Sequence, residues 1–298
     1  MAIFKNGHHR GKQQYRCNRC GHQYVKVKAK TRSIETLYFQ YCLGKQTLVE
    51  LSKKTGNCTR TLQRQFDALI IEPFNSRLFN EPVNLIVDAT FFSRSDGVLV
   101  FRAQKINLYW RFIESESLAE LSAGLDELDS KGYHWKSVTL DGRRGMIQLF
   151  QERYPSVPIQ LCQFHQAQII KRYTTNNPKT PCGRELKQLM AQLTQLGQEE
   201  FSSRLIALRG LYGDFLKERN DQGQFKHRRL RSAFRSLKTN LPYLFTCKNH
   251  PELTIPNTTN SCDGSFAHWK QKVKIHRGLR KERRNKMINF LLKHQKKP

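Results

Sequence analysis

The chain is poor in acidic residues and has no long apolar run. Its 298 residues include 24 aspartates and glutamates against 52 lysines and arginines, a formal net charge of +28. No apolar segment approaches the roughly 20 residues that span a bilayer, and the first residues lack the apolar h-region of a signal peptide. These absences argue against a membrane or exported protein and predict a cytoplasmic one that binds a polyanion, with nucleic acid the first candidate. A passive nucleic-acid binder would carry the same charge, so charge alone does not predict catalysis.

Closely spaced cysteines are scarce as well. Among eight cysteines only Cys17 and Cys20 form a C-x2-C pair, a spacing that lets two thiolates bind one Zn²⁺ from a tight turn. No second such pair lies nearby to complete four ligands, although His8 and His9 are substitutes. We interpret residues 1–30 as a partial zinc-ribbon-like knuckle, with candidate zinc ligands, whose first half is missing from a truncated or misassigned N-terminus. Two unligated thiols in a basic arm remain the alternative.

Residues 31–72 are predicted to be helical and to contain a helix-turn-helix. The residues expected to pack its two helices are Leu48, Val49, Leu51, Leu62 and Phe66. Gly56 and Asn57 are expected to make the turn, and Thr59 to cap the second helix. That helix would turn a polar and basic face to the major groove, formed by Thr59, Arg60, Gln63 and Arg64. A plain pair of helices has similar spacing, so that alternative stays open; the proline-containing stretch 72–82 is predicted to be a linker.

Two aspartates stand in or after predicted buried strands. Asp88 interrupts the apolar run VNLIVDATFF, and Asp141 follows WKSVTL. A buried aspartate is costly unless its charge is paired, and two carboxylates from two strands of one sheet suit a two-metal phosphoryl-transfer site. Taken singly, each aspartate has the simpler interpretation of ending a strand or capping a turn.

The order of predicted elements favours the metal site. Strand patterns at 83–92, 97–104 and 107–115 are followed by a helix at 118–128, a strand at 135–140, a helix at 143–152, a strand at 157–164 and a helix at 165–173. This is the order of the ribonuclease-H-like fold, an α/β fold with a mixed sheet. Its first and fourth strands are neighbours, which would bring Asp88 and Asp141 together.

The rest of the chain completes the predicted architecture. The catalytic core would span 83–177, a helical insertion 178–246, and a last catalytic helix with a basic tail 247–298. Apolar stripes at helical spacing predict core packing of the insertion, and its basic stretch 226–238 is either a DNA-facing surface or a solvated helix face. Asp263 is the candidate third acid, although Asn260 with Asp263 three residues later also resembles a helix-capping pair.

These motifs resemble bacterial insertion-sequence transposases of the Mutator type, from about residue 31 onward. The most specific parts are NTTNSCDGSFAHWK with HRGL after it, the LDG of Asp141, and CQFH, whose C-x2-H pair is Cys162 and His165. The resemblance implies a DDE transposase in which Asp88, Asp141 and Asp263 hold two Mg²⁺ ions, with Mn²⁺ as the alternative.

The resemblance also implies partners and supporting residues. Double-stranded DNA would be bound at the terminal inverted repeats and the target by a homodimer or larger assembly in the bacterial cytoplasm, at the nucleoid. Cys162 and His165 would support the acids or handle DNA. Further DNA-binding candidates are Lys270, Lys274 and Arg277.

The chain departs from the family at the third acid, which is normally a glutamate in N-x-x-E-G. Aspartate is one methylene shorter but is still a hard oxygen donor, so a catalytically inactive DNA-binding descendant is the alternative function. A metal-dependent nuclease without strand transfer is another. Cys247 and His250 repeat the C-x2-H spacing, so a zinc tetrahedron with Cys162 and His165 stays open, as does a purely structural buried Cys162.

Overall fold

This computed structural model describes residues 3–25, 33–71, 79 and 81–294. The chain divides into two compact units, Met1–Ile70 and Ile71–Pro298. Among the described residues, no helix is long and apolar enough to cross a membrane.

The first unit begins with a small antiparallel sheet. Its strands are β1 (Ile3–His9), β2 (Lys12–Cys17) and β3 (Gln23–Val25), paired in that order. The register sets His8 opposite Gln13 and His9 opposite Lys12, whereas Cys17 lies opposite Ile3. At about 3.3 Å per residue, four strand positions separate Cys17 from the level of His8 by about 13 Å. The register therefore sets these histidines at the opposite end of the hairpin from Cys17.

Three helices follow in the described range 33–71. They are α1 (Ile34–Cys42), α2 (Leu48–Thr55) and α3 (Thr59–Ala68). Thr47 and Glu50 form a capping box at the start of α2, and Gly56 ends it with a φ of 74°, a conformation that favours glycine. The buried side chains of these helices are Leu37, Tyr38, Tyr41, Cys42, Leu51, Leu62 and Phe66. The packing roles predicted for Leu51, Leu62 and Phe66, and the turn at Gly56, are confirmed.

Two predictions in this segment are wrong. Val49 is 57% exposed, because it lies two positions from the buried Leu51 and so points to the opposite side of α2. The N-cap of α3 is Cys58 and not Thr59, since Cys58 keeps an extended backbone while Thr59 is already helical. The ends 31–32 and 72 of the predicted helical segment, and most of the predicted linker 72–82, lie outside the described residues.

The second unit is built on a mixed five-stranded sheet. Its strands are β4 (Val83–Ser93), β5 (Asp96–Ala103), β6 (Ile106–Ile113), β7 (Trp135–Leu140) and β8 (Ile159–Leu161), in the order β6-β5-β4-β7-β8. The first three strands form an antiparallel meander, and β4, β7 and β8 run parallel. The predicted meander and the pairing of the first and fourth strands are confirmed, in a mixed α/β unit.

Three helices alternate with these strands: α4 (Leu118–Ser130), α5 (Arg144–Arg153) and α6 (Gln163–Thr174). Strand β8 is shorter than the predicted 157–164. Cys162 is the N-cap of α6, and its sulfur accepts the amide of His165. Gln163 and Phe164 therefore begin the helix, although their sequence resembles a strand end.

The two faces of this sheet differ in character. One face is apolar: Leu85, Val87 and Phe101 pack with buried side chains of α4 and α5. The other face holds the half-buried Asn84 and the buried polar side chains of Asp88, Arg102, Ser137, Thr139 and Gln160. The polar face docks the segment that precedes the long helix Asn260–Ile275. The amide of Asn84 donates to the carbonyls of Leu253 and Thr254 in this segment, at 3.0 and 3.1 Å.

Helices make up most of the chain beyond α6. They are α7 (Pro181–Ala191), α8 (Gln198–Leu211), α9 (Gly213–Lys217), α10 (Arg228–Leu244), α11 (Thr246–Asn249), α12 (Asn260–Ile275) and α13 (Lys281–Lys293). The predicted apolar stripes are buried: Leu186, Leu193, Phe201 and Leu205 belong to the core that continues from the sheet. The predicted tail helix is α13, whose apolar side is buried; residues 295–298 lie outside the described part.

Candidate functional site

The candidate site lies at one edge of the mixed sheet. Strands β4, β6, β7 and β8 point the same way, because β5 is antiparallel to both of its neighbours. Residues that follow β6, β7 and β8 therefore emerge at a common carboxyl edge. Glu116 follows β6, Asp141 follows β7 and Cys162 follows β8.

Asp88 is the buried acid of the site. It is 7% exposed, and its Oδ1 accepts the amide of Ala89 at 2.9 Å. Its Oδ2 is buried and has no hydrogen-bond partner among the described residues. Burial, and next the charge of Asp263, raise the pKa of Asp88 to about 7, against the opposing effect of His165. A desolvated carboxylate with an unsatisfied oxygen needs a counter-charge to stay ionised.

Asp141 directly follows β7, which is the parallel neighbour of the strand that carries Asp88. The parallel register of the two strands ends with the pair Ile86 and Thr139, and β7 itself ends at Leu140. The half-buried Asp141 accepts the amide of Arg143 at Oδ1, at 3.4 Å. The two strands predicted to be neighbours are thus neighbours, while a direct approach of the two carboxylates stays a prediction.

Asp263 reaches the same place from α12. Thr259 is the N-cap of this helix and makes no capping bond with its side chain, so Asn260 is the first helical residue and Asp263 the fourth. The helix-capping pair of Asn260 and Asp263 is therefore wrong, because neither residue has the cap position. Instead, Asp263 Oδ2 accepts a hydrogen bond from the Thr259 hydroxyl at 3.4 Å, and its charge acts on Asp88.

The C-x2-H pair, Cys162 and His165, contacts the same threonine as Asp263. Cys162 is 1% exposed, and its sulfur accepts the amide of Thr259 at 3.3 Å and that of His165 at 3.5 Å. The Thr259 hydroxyl lies 3.6 Å from this sulfur and 3.4 Å from His165 Nδ1. Thr259 therefore links the pair to Asp263.

The surroundings of Cys162 and His165 favour a thiolate beside an imidazolium. Burial acts to raise the pKa of Cys162, but hydrogen bonds from His165 and Thr259 outweigh it and lower the pKa. The hydrogen bond to Cys162 raises the pKa of His165 to about 9, with the charges of Asp88 and Asp263 acting in the same direction. An imidazolium beside carboxylates compensates part of their mutual repulsion.

Cys247 and His250 take other partners. The amide of Cys247 donates to Gln160 at 2.8 Å, and His250 Nδ1 lies 3.4 Å from Glu252. Among the described residues no three His, Cys, Asp or Glu side chains form a group ready to hold a metal ion. The acids at the edge nevertheless supply carboxylate oxygens, the donor type that Mg²⁺ uses.

Sequence reasoning missed an ion pair at the same edge. Arg143 lies 2.9 Å from the Glu116 carboxylate and donates to the Glu116 carbonyl at 2.8 Å. The Glu116 side chain is 14% exposed; burial and then the charge of Asp141 raise its pKa, while Arg143 and His165 oppose this. The signal that could have found it is a carboxylate just beyond a strand that ends at the carboxyl edge of the sheet.

A buried guanidinium was also missed. Arg102 is 1% exposed and donates to Asn107 at 2.9 Å, to the Ser261 carbonyl and to the Ser265 hydroxyl at 3.0 Å. These bonds fix the first turns of α12, which carries Asp263, on the polar face of the sheet. A single basic residue in the strand pattern GVLVFRAQ was the only signal.

The predicted DNA-binding residues are mostly accessible. Thr59, Arg60 and Arg64 are exposed on α3, as are Lys270, Lys274 and Arg277 in and after α12. Gln63 is half-buried and donates to Asp67 at 3.0 Å.

The two candidate zinc ligands flank a tight turn. The amide of Gly21 donates to the Cys17 carbonyl at 3.0 Å, and the amides of Cys20 and Arg19 lower the pKa of Cys17. Cys17 is half-buried and Cys20 is exposed. The turn thus favours a thiolate at Cys17.

Comparison with known proteins leaves the interpretation of this site to its geometry and its motifs. A scan against protein-family models finds no match to the chain, and neither does a search of the curated proteins.

Proposed function

We propose that this chain is a DDE-type transposase of the Mutator type, which cuts and joins DNA at the ends of an insertion sequence. The observation that carries the proposal is the approach of Asp88 and Asp263 from distant segments, with Asp141 at the end of the strand next to that of Asp88. Asp88 is buried with an unpartnered oxygen, and the charge of Asp263 acts on it. Acids gathered in this way oppose folding unless a cation compensates them.

The sheet supports a ribonuclease-H-like interpretation of the second unit. An antiparallel meander followed by two parallel strands in the order β6-β5-β4-β7-β8 is what that fold requires. The helices between α6 and α12 would then be an insertion ahead of the third acid.

The donor set fits hard divalent cations. Asp88, Asp141 and Asp263 would hold two Mg²⁺, or Mn²⁺, at the carboxyl edge. When bound, such ions activate water or a DNA 3′-hydroxyl and stabilise the leaving 3′-oxygen. The residues around them position the ligands: Thr259 orients Asp263 through its hydroxyl, Arg102 fixes the start of α12, and the Glu116–Arg143 pair holds the turn after Asp141.

The remainder of the chain would recognise DNA. A net charge of +28 favours a polyanion, and α2 and α3 would act as a helix-turn-helix with Arg60 and Arg64 at the major groove. Cys17 and Cys20 remain a candidate zinc pair. Since two element ends must be joined, a homodimer or larger assembly on DNA is part of the proposal.

The test uses DNA that flanks the gene, because the terminal repeats would lie there. The purified chain, given a supercoiled plasmid with this DNA and Mg²⁺, should cut at the repeat boundary and leave 3′-hydroxyl ends, and EDTA should stop it. Joining of those ends to a second DNA separates a transposase from a nuclease. Binding to the same DNA without cleavage under Mg²⁺ or Mn²⁺ would contradict the proposal.

A second candidate function has one observation in its favour. The third acid is an aspartate, whose carboxylate ends one methylene short of the family's glutamate. A descendant that binds the same DNA without cutting it would retain the helix-turn-helix and lose this ligand. The substitution Asp263→Glu distinguishes this descendant from an active transposase.

A further inference from the structure

The helices between α6 and α12 form a basic cavity whose lining includes none of the candidate acids. It has a volume of about 370 Å³ and lies among α8, α9 and α10. Five cations line it: Arg209, Lys217, Arg231, Arg235 and Lys238. Its described lining contains no acidic residue. Five like charges around one cavity repel one another, so the site favours an anion.

The cations of this cavity differ from several cations elsewhere in the second unit that pair with carboxylates. Arg153 and Arg111 are held by Asp129 and Glu120 at 2.6 and 2.9 Å. In the cavity, Arg209, Arg235 and Lys238 are exposed, and the described lining offers no carboxylate to pair with them. Lys217 reaches Asp214 at 3.3 Å, but both side chains are exposed, Asp214 fully, and such a pair contributes little.

One guanidinium is already fixed in place. Arg231 donates to the Leu216 carbonyl at 2.9 Å, and its guanidinium lies 3.5 Å from the centre of the Phe225 ring. A planar guanidinium held in this way loses little conformational freedom when it binds an oxyanion, and it can bind two oxygens at once. The buried side chains of Leu216 and Phe234 form the apolar part of the lining.

We propose that this cavity binds phosphate groups of the duplex DNA backbone and so forms a second DNA contact, separate from α3 and from the acidic edge. The inference rests on the proposed function, because it assigns part of the same DNA. Phosphate is the anion that matches several converging arginines, and the cavity is large enough for more than one phosphate with its sugar. A free polyphosphate has the same chemistry, and the experiment separates the two sources.

The experiment compares two triple variants of the full chain. The pocket variant is Arg209→Gln, Arg235→Gln and Lys238→Gln. The control variant is Arg111→Gln, Lys131→Gln and Arg204→Gln, which removes the same charge from cations that each pair with a glutamate. Fluorescence anisotropy with a labelled duplex, over a series of KCl concentrations, gives affinity and salt slope.

The pocket variant should bind roughly tenfold or more weakly at 0.15 M salt, and its salt slope should fall by about 2–3. The control should change affinity by less than about threefold. Should the triple variant unfold, Arg235→Gln alone should lower the slope by about 1. Equal behaviour of the pocket and control variants would overturn the inference.

Two further readouts separate the possible failures. If the parent chain cuts DNA and Asp141→Ala abolishes cutting while the pocket variant binds like the control, the inference alone fails. If the parent binds no duplex, both proposals fail. Calorimetry with sodium tripolyphosphate tests the other source: tight binding that the pocket variant loses, with DNA affinity unchanged, would overturn the assignment to DNA.

Discussion

Asp88 of β4 and Asp263 of α12 lie close enough for the charge of one to raise the pKa of the other. These residues come from opposite ends of the second unit. Arg102 docks α12 on the sheet, and Asn84 docks the segment that precedes it. The fold therefore gathers like charges into a partly desolvated place. This arrangement lowers the free energy of unfolding of the metal-free protein.

The first prediction concerns the metal-free protein. The pKa of Asp88 is about 7 in the folded chain, above its value of about 4 in an unfolded chain. A raised folded pKa gives stability that is present below pH 4 and is lost as the pH rises to 7. In EDTA, Asp88→Asn should therefore raise the free energy of unfolding by roughly 2–4 kcal/mol at pH 8.

Thermal melts from pH 4 to pH 8.5 check this prediction. The advantage of the variant should vanish near pH 4 and level off above pH 7. Asp214→Asn, at a fully exposed carboxylate, is the control and should show no such trend. A constant difference at every pH would mean that Asp88 is not destabilised by its surroundings.

The second prediction separates a metal ligand at position 263 from a residue with a local structural role. Asp263→Asn keeps the size and the hydrogen-bonding oxygen that faces Thr259 but removes the charge. Cleavage should fall by orders of magnitude while the melting temperature holds. If the asparagine variant cuts DNA as well as the parent, the third ligand lies elsewhere, with Glu252 and Glu282 the next to examine.

Asp263→Glu restores the family's usual acid and gives the third prediction. If α12 compensates for the shorter aspartate, glutamate should leave cleavage equal or slightly reduced. If the chain has lost activity through this position, glutamate should raise it above the parent. A rise would favour the inactive DNA-binding protein as the present function.

The fourth prediction concerns the ion pair that the sequence did not reveal. Glu116→Gln removes the partner of Arg143 and frees the turn that carries Asp141. Because Arg143 is half-exposed, stability should fall by no more than about 1 kcal/mol. Cleavage should fall roughly 10- to 100-fold, since small displacements of a catalytic group are costly, while the Kd for DNA stays constant. Unchanged cleavage would remove Glu116 from the positioning role.

The fifth prediction concerns the exposed face of α3. If Arg64 contacts a base, Arg64→Ala should weaken binding to the element's ends by roughly 1–3 kcal/mol and relax specificity. If it contacts phosphate alone, binding to all sequences should weaken alike, with a shallower salt slope. Gln65→Ala, an exposed neutral neighbour, is the control. If neither the affinity for DNA nor its salt slope changes, α2 and α3 are a plain pair of helices.

The sheet and its helices were predictable because their signals are local. The apolar runs that became β4, β5 and β7 and the helical spacing of α4 are complete within a dozen residues. The adjacency of β4 and β7, the strands that carry Asp88 and lead to Asp141, could be predicted as well, since the element order implies which strands are neighbours. The predicted strand 157–164 extends past the observed end of β8, because Cys162 continues an apolar run while its sulfur caps a helix.

The polar face of the sheet could not be predicted in this way. Asn84 and Thr139 occupy ordinary strand positions, and their partners are carbonyls of residues 253–256. The pairing of Glu116 with Arg143 spans 27 positions and has no periodic pattern. Such contacts depend on the docking of distant segments, which no local spacing encodes.

DNA cleavage by Asp141→Ala is the direct test of whether Asp88 and Asp141 share a metal-dependent site. The variant, given end DNA and Mg²⁺, is expected to bind with a Kd within about twofold of the parent and to cut at a rate lower by orders of magnitude. Asp214→Ala, far less buried than the site acids, should cut like the parent. If Asp141→Ala cuts at the parent's rate, the two strand-borne acids do not share a metal-dependent site, and the account is wrong.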